Sequence, residues 1–194
     1  MEMASFLIAY GTGEGQTAKV AMQIGGRIEA RNHHVIVTDV TELASDSLSN
    51  IDAFILGSSI HIGRHSKPVR QFVQSHQDRL QELPTGFFQI SLSSASEDAS
   101  RRATAAGYVD SFLESLDWNP DRIAMFGGAL RYSKYGFLKR LMMKQIAAQD
   151  LGDTDTSRDY EYTDWQEVES FATDFAAFVE ARVGGPHRGT AEDE

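Results

Sequence analysis

The sequence contains no cysteine, little lysine and no long apolar run. The lack of cysteine excludes a disulfide framework and thiolate chemistry, and it suits a reducing compartment. No stretch approaches the length of a membrane span, and residues 1–10 are too short and too lightly charged for a signal peptide. From 194 residues we expect one cytoplasmic domain over residues 1–183, followed by a flexible polar tail over 184–194.

Positive charge is scarce as well. Lysine and arginine contribute 18 residues, and aspartate and glutamate contribute 28, which gives a formal net charge of -10. This balance argues against non-specific binding to nucleic acid across the surface as a whole. The acidic composition leaves two sources open, an ordinary acidic cytosolic protein and a protein from a high-salt habitat. The sequence also leaves open whether the chain forms a homo-oligomer.

Short apolar runs alternate with amphipathic helical segments along the chain. Strands are predicted at residues 5–10, 34–40, 53–56, 86–92 and 123–126. Helices are predicted at residues 17–30, from Pro68 onward, at 101–116 and after Thr163. Thr163 and Gln166 have the spacing of a capping box, with Thr163 as the N-cap. The alternation predicts an α/β fold, a doubly wound five-stranded parallel sheet in the flavodoxin-like order with helices on both faces.

One segment, residues 131–150, interrupts this alternation before the last helix, and we call it the basic insertion. Its residues 131–149 carry five cations and no acid. On a helix, one side holds Phe137, Leu138, Leu141, Met142 and Ile146, and the other holds Lys139, Arg140 and Lys144. A cationic, partly apolar helix on an acidic protein suits a dicarboxylate macrocycle, a quinone or the surface of an anionic membrane. A solvated helix face is the alternative.

A loop rich in glycine and hydroxyl groups joins the first predicted strand to the first helix. Its residues are Thr12, Gly13, Glu14, Gly15, Gln16 and Thr17. A helix N-terminus at the carboxyl edge of a sheet binds anions, and glycine lets the backbone approach a phosphate closely. The Walker loop and the dinucleotide fingerprint are both excluded, because Gln16 stands where the first needs lysine and the second needs glycine or alanine. The loop therefore predicts a phosphate site, with a plain strand-to-helix turn as the alternative.

Two further loops are expected at the same edge of the sheet. The loop after the third strand contains Ser58, Ser59, Ile60, His61, Ile62 and Gly63, and the loop after the fourth contains Ser91, Leu92, Ser93 and Ser94. They should flank the crevice beside the first loop, so a flat ring can lie between them. Solvated turns are the alternative for both. His61 and His65 are either proton relays or surface residues, and the histidine spacing predicts no metal site.

Several motifs go beyond what a generic flavodoxin would share. They are Gly-Gln-Thr at 15–17, Gly-Ser-Ser-Ile at 57–60, Trp-Asn-Pro-Asp-Arg at 118–122, Gly-Gly-Ala-Leu-Arg-Tyr at 127–132, Asp-Thr-Asp-Thr at 153–156 and Tyr-Thr-Asp-Trp at 162–165. On these motifs the chain resembles the menaquinone-dependent protoporphyrinogen IX dehydrogenases, enzymes of the flavodoxin family. The resemblance implies non-covalently bound FMN and oxidation of protoporphyrinogen IX in haem biosynthesis, with electrons passed to a quinone. It also implies that the basic insertion lies beside the flavin.

The same resemblance implies roles for the insertion. Arg131 and Tyr132 are expected at the mouth of the substrate site, and Lys139, Arg140 or Lys144 are expected to contact substrate carboxylates or the inner face of the cell membrane. The protein mainly positions the substrate and tunes the flavin in such chemistry, so no catalytic acid–base residue is predicted. The chain differs from the bacterial enzymes at Ile62, where they carry an aromatic residue, and at Glu97 and Asp98, where they are more basic.

Two other functions remain open at this point. One is a flavodoxin-type FMN electron carrier, or a quinone-linked flavoprotein with another substrate. The other is a binding module with a flavodoxin fold that has lost FMN. The basic insertion distinguishes the carrier from an enzyme, because a carrier usually presents an acidic docking face around the flavin.

Overall fold

The computed structural model describes residues 3–61, 63–150 and 155–183. The strands are β1 (Ser5–Gly11), β2 (His34–Asp39), β3 (Ala53–His61), β4 (Arg64–His65), β5 (Thr85–Ser91), β6 (Arg122–Gly127), β7 (Ala129–Leu130) and β8 (Tyr160–Glu161). The α-helices are α1 (Gln16–Glu29), α2 (Lys67–Ser75), α3 (Gln77–Glu82), α4 (Ala99–Glu114), α5 (Phe137–Asp150) and α6 (Trp165–Val183). Ile62 and the tail 184–194 lie outside the described residues, as do the side chains of His61 and Lys139.

The main sheet has the strand order β2-β1-β3-β5-β6, and each neighbouring pair is parallel. β4 pairs antiparallel with the end of β3, and β7 and β8 form a separate two-stranded ladder. This order confirms the predicted doubly wound flavodoxin-like sheet. Among the described residues, no helix combines the length and the apolar character needed to cross a membrane.

Two apolar cores cover the two faces of the sheet. Successive side chains of a strand point to opposite faces, so Phe6 and Ile8 of β1 pack in one core and Leu7 and Ala9 in the other. The first core is closed by α1 and α6, and the second by α2, α3 and α4. All seven residues of β5 are buried, as expected for a strand covered on both faces. The segments of interest lie at the carboxyl ends of β1, β3 and β5.

The third strand is longer than its apolar run predicts. Gly57 does not end β3, because it pairs with Tyr10 of β1 and with Phe88 of β5 in the middle of the sheet. A Cβ atom at Gly57 would lie 2.1 Å from Cζ of the Phe88 ring, so this glycine makes room for a buried aromatic side chain. The segment Ser58 to His61 is therefore strand rather than loop, and it continues into the short hairpin with β4.

The N-cap of α6 is Asp164, so the prediction of Thr163 as the cap is wrong. The Asp164 carboxylate accepts hydrogen bonds from the backbone N–H groups of Gln166 and Glu167 at 2.8 and 3.3 Å. The Thr163 hydroxyl points inward, where it donates to the carbonyl of Gly127 at 2.6 Å and accepts from the Gln16 side chain at 2.9 Å. A buried hydroxyl is stabilised by these two partners, whereas the exposed carboxylate suits the helix end.

A charged cluster joins the end of α6 to the loop before β2. Arg31 donates two hydrogen bonds to the Glu180 carboxylate, at 2.9 and 2.8 Å. His33 is a third partner at 2.9 Å, and since its Nδ1 accepts from the backbone of Ala4, its Nε2 donates to Glu180. The hydrogen bonds from Arg31, which outweigh the opposing effect of burial, lower the pKa of Glu180 to about 2.

Replacing Glu180 with glutamine is expected to lower the free energy of unfolding at pH 7 by about 2 kcal/mol. This value lies within the usual range for the contribution of hydrogen bonds to a charged group. Because the folded-state pKa lies below the ordinary value of 4.5, the contribution is complete above pH 4.5 and is lost as the pH falls through 2. Urea unfolding between pH 7 and pH 2 measures the difference. Glu167→Gln, an exposed carboxylate on the same helix, is the control. A wild-type advantage independent of pH would contradict the assignment.

Candidate functional site

A cavity of about 480 Å³ opens at the carboxyl edge of the sheet, and we call it the edge cavity. It is bounded by the first loop, the end of β3, the segment after β5, helix α4 and helix α5. The predicted residues that line it are Thr12, Glu14, Gln16, Thr17, Ser59, Ile60, Gly63, Ser91, Leu92 and Ser93. The structure therefore brings all three predicted loops to one space. Gly13, Gly15, Ser58 and Ser94 lie beside this lining without forming part of it.

The first loop passes into α1 through a left-handed glycine. Gly15 has a φ of 94°, a conformation that favours glycine, and it precedes the first residue of the helix. The Thr12 side chain accepts a hydrogen bond from the Gly15 backbone N–H at 2.9 Å, which fixes the turn. The first-turn N–H groups of a helix have no acceptor within the helix, so they are available to an anion.

The lining of the edge cavity fits a phosphorylated flavin. The hydroxyls Thr17 Oγ1 and Ser59 Oγ are buried without a hydrogen-bond partner among the described residues. Thr17 itself has no exposed surface. Buried hydroxyls normally have partners, and a donor beside a helix N-terminus suits a phosphate oxygen. Ile60 and Leu92 add apolar surface between the polar groups, which suits the face of a ring.

The basic insertion holds the first loop in place. Arg131 donates to the side-chain oxygen of Gln16 at 2.9 Å and lies 3.6 Å from the Glu161 carboxylate. Glu161 also accepts from Lys19 at 2.7 Å and from the Trp165 ring nitrogen at 3.0 Å. Burial opposes ionisation of Glu161, but the hydrogen bonds together with the charges of Lys19 and Arg131 outweigh it and lower its pKa. Arg131 thus contacts the loop that the sequence predicts to hold a phosphate.

A second contact joins the insertion to the same loop. The Tyr135 hydroxyl donates a hydrogen bond to the Glu14 carboxylate. Burial, followed by this hydrogen bond, raises the pKa of Tyr135 well above its ordinary value. The phenol therefore stays protonated and remains a donor at any pH near neutrality. Glu14 is consequently oriented by Tyr135 at the rim of the edge cavity.

Helix α5 forms one wall of the edge cavity through Met142 and Met143. Tyr132 lies elsewhere than expected: it is fully buried in a small aromatic core with Tyr135 and Tyr160, not at the cavity mouth. An aromatic ring gains more from this packing than from exposure.

Two further cations of the insertion lie in different surroundings. Arg140 is half-buried and donates to the carbonyl oxygen of Tyr132 at 2.9 Å, so it braces the insertion. Lys144 is exposed. Lys139, the third cation that was expected to contact carboxylates or a membrane, has its side chain outside the described part of the chain.

The sequence did not reveal the part of the lining that α4 supplies. Arg101, Thr104 and Tyr108 line the edge cavity from one face of this helix. Their spacing of three and four residues is the available signal, since such residues share a helical face. Asp98, one of the two acids after β5 at which the chain differs from the bacterial enzymes, caps α4. Its carboxylate accepts a hydrogen bond from the Ser100 backbone N–H at 2.8 Å.

Comparison with known proteins identifies relatives across most of the chain. The sequence model of the flavodoxin domain family matches residues 7–157. The protoporphyrinogen IX dehydrogenase [quinone] of Escherichia coli (strain K12) is 32% identical over 170 residues, which are 88% of this chain and 93% of that protein. The protein of the same name from Leishmania major is 32% identical over 190 residues, which are 96% of this chain and 80% of that protein.

The fold has solved counterparts as well. A flavodoxin from the domain Archaea superimposes with a TM-score of 0.52 at 16% identity, and the match covers 91% of this chain and 99% of that one. At this identity the likeness concerns the fold. The match to the flavodoxin domain family supports FMN, the predicted cofactor. With its sheet order, its first loop and its relatives in agreement, this chain belongs to the flavodoxin family.

Proposed function

We propose that this protein is an FMN-dependent oxidoreductase that oxidises protoporphyrinogen IX to protoporphyrin IX and passes the electrons to a quinone. One observation supports this function best: one wall of the edge cavity is the basic insertion, which contributes Met142 and Met143. An electron carrier needs only a site for the flavin. An added apolar wall beside that site suits a second, flat and largely apolar molecule. The proposal agrees with the names of the relatives from Escherichia coli and Leishmania major.

The chain's own residues divide into a phosphate end and a ring end. Thr12, Thr17 and the first turn of α1 would hold the phosphate, and Ser59, Ile60 and Leu92 would contact the ring. The chemistry supplied by bound FMN is the acceptance of electron pairs from a substrate and their release to an acceptor. Arg131 and Tyr135 orient Gln16 and Glu14 at the phosphate end, while the methionines of α5 would form an apolar wall beside the ring.

The exposed side of α5 is the proposed contact with a membrane that carries the quinone. Phe137 and Leu141 expose 84% and 60% of their surfaces, and the exposed cations Lys134 and Lys144 flank them. Large apolar side chains surrounded by cations suit the interface of an anionic bilayer.

Replacing Phe137 and Leu141 together with serine is expected to weaken binding to vesicles that contain phosphatidylglycerol by about tenfold or more, because each buried side chain is worth about 1.5–3 kcal/mol. Co-sedimentation with the vesicles measures the loss. Met22→Ser, which removes an exposed apolar side chain on α1, is the control. Equal sedimentation of the double variant and the wild type would exclude this face as the membrane contact.

The proposed function is tested by two measurements on the purified protein. The protein is first titrated with FMN, and flavin absorbance and fluorescence report binding. The loaded protein is then supplied with protoporphyrinogen IX and a menaquinone analogue, and the formation of protoporphyrin is followed by its fluorescence. Binding with turnover is the expected result. Binding without turnover would favour the electron carrier, and the absence of FMN binding would leave only the binding module.

A further inference from the structure

A second cavity of about 310 Å³ lies next to the edge cavity, and we call it the side cavity. It is enclosed by the β3–β4 hairpin, the beginning of α2 and the second half of α4. Gly63 and Tyr108 line both cavities, so the two spaces are neighbours with the Tyr108 ring between them. Nothing in the proposed function so far makes use of this second space.

Within the part of the chain that the structure describes, the side cavity is lined by two arginines and by no acidic residue. Arg64 is exposed and forms no hydrogen bond or ion pair with the described residues. Arg70 is half-buried, donates to the Ser115 hydroxyl at 2.7 Å and stacks on the Phe112 ring at 5.4 Å. Arg70 likewise has no carboxylate partner among the described residues. Two guanidinium groups left without a counter-charge are unusual on a chain with a net charge of -10.

A third basic side chain in the cavity, His65, stays uncharged. Its ring packs against Phe112 and Phe87, with centroids at 4.2 and 5.6 Å. Burial lowers the pKa of His65 to about 4; the Tyr108 backbone opposes this effect and the charge of Arg70 adds to it. Neither ring nitrogen has a hydrogen-bond partner of normal geometry within the described structure. At neutral pH the positive charge of the side cavity thus rests on the two arginines.

One face of α4 runs past both cavities. Thr104 and Tyr108 line the edge cavity, and Tyr108, Ser111 and Ser115 line the side cavity. Their spacing of four, three and four residues places them along a single side of the helix. Asp110 and Glu114 of the same helix line a different depression, so they do not neutralise the arginines from this side. Among the described residues, the part of α4 that lines the two cavities therefore carries no acid.

We propose that the side cavity is a subsite for a carboxylate of the substrate, which reaches Arg64 and Arg70 from the edge cavity. This inference rests on the proposed function, because it takes its ligand from the dicarboxylate substrate of that reaction. Guanidinium groups bind carboxylates through paired, charge-assisted hydrogen bonds. The arginines of the basic insertion are less suited to this role, since Arg131 and Arg140 already bind groups of the protein itself.

The test compares a diacid with its ester on the FMN-loaded protein. Protoporphyrin IX and its dimethyl ester are titrated by fluorescence into the wild type and into the Arg64→Gln, Arg70→Gln double variant. The wild type is expected to prefer the diacid, and the double variant to bind it about tenfold more weakly or worse, with binding of the ester unchanged. The KM for protoporphyrinogen IX is expected to rise with kcat unchanged.

The control carries the same change of charge elsewhere. Arg27→Gln with Arg182→Gln removes two surface arginines that form ion pairs at the far ends of α1 and α6, and it should leave diacid binding unchanged. Equal diacid binding by the Arg64, Arg70 variant and the wild type would overturn the proposal, and so would an equal loss for the ester. A wild type that shows the diacid preference without any turnover would contradict the proposed reaction and still support the subsite.

Discussion

Replacing Gly57 with valine is expected to lower the free energy of unfolding by about 3 kcal/mol, the upper part of the usual range for overpacking a core. A Cβ atom at Gly57 would lie 2.1 Å from Cζ of Phe88, and the Phe88 ring is fully buried on the neighbouring strand. Valine is a favourable residue for a strand, so propensity alone would predict a gain. The loss is measured by urea unfolding of the protein without flavin.

Two further variants isolate the cause of this loss. Gly26→Ala, at a site on α1 where a Cβ would meet nothing within 4 Å, is expected to raise stability by about 0.5 kcal/mol. Combining Gly57→Val with Phe88→Leu should relieve the clash. The double variant should therefore lose less free energy of unfolding than the sum of the losses of the two single variants. Strict additivity of the two substitutions would show that Phe88 is not what excludes a side chain at Gly57.

Replacing Thr17 with valine is expected to weaken FMN binding by about tenfold to a hundredfold, the range for a lost hydrogen bond to a charged group. The Thr17 hydroxyl is buried and has no partner among the described residues, so valine removes a donor without breaking a bond in the free protein. The same substitution should therefore leave the stability of the flavin-free protein unchanged or slightly higher. Quenching of FMN fluorescence and urea unfolding report the two effects.

Thr104→Val is the matched control for this prediction. Thr104 lines the same cavity, but its hydroxyl already donates to the Ser100 carbonyl at 3.0 Å within α4. FMN affinity is expected to change by about twofold or less, since no donor aimed at the ligand is lost. A similar loss of affinity in both variants would show that the shape of the cavity, and not the Thr17 hydroxyl, determines binding.

The parts of the fold that were predictable from sequence are those set by local pattern. β1 and β5 follow from short apolar runs, and α1 follows from apolar residues spaced at fours after a glycine-rich loop. These three elements alone place the first loop at the carboxyl edge of a parallel sheet. The position of the first loop, at one edge of the candidate site, could therefore be predicted from the sequence.

The parts that were missed depend on residues far apart in the chain. In the sequence, Gly57 has the appearance of a strand end. In the structure it lies within the strand, and Phe88 on the neighbouring strand leaves no room for a side chain there. Thr163 has the sequence pattern of an N-cap, but in the structure its hydroxyl forms hydrogen bonds with Gln16 and with the carbonyl of Gly127. Local sequence propensity cannot predict such partners, because these residues come into contact only when the sheet has assembled. The lining from α4 was missed for the same reason, because the residues on one face of this helix line a cavity only once the chain has folded around it.

The two contacts between the basic insertion and the first loop have a thermodynamic consequence. Arg131 with Gln16, and Tyr135 with Glu14, join segments that are more than a hundred residues apart in sequence. Coupling between two binding sites is reciprocal: the factor by which one ligand changes the affinity for the other is the same in both directions. A ligand at the first loop that strengthened these two contacts would therefore favour, by the same factor, the binding of a molecule that strengthens them from the side of α5.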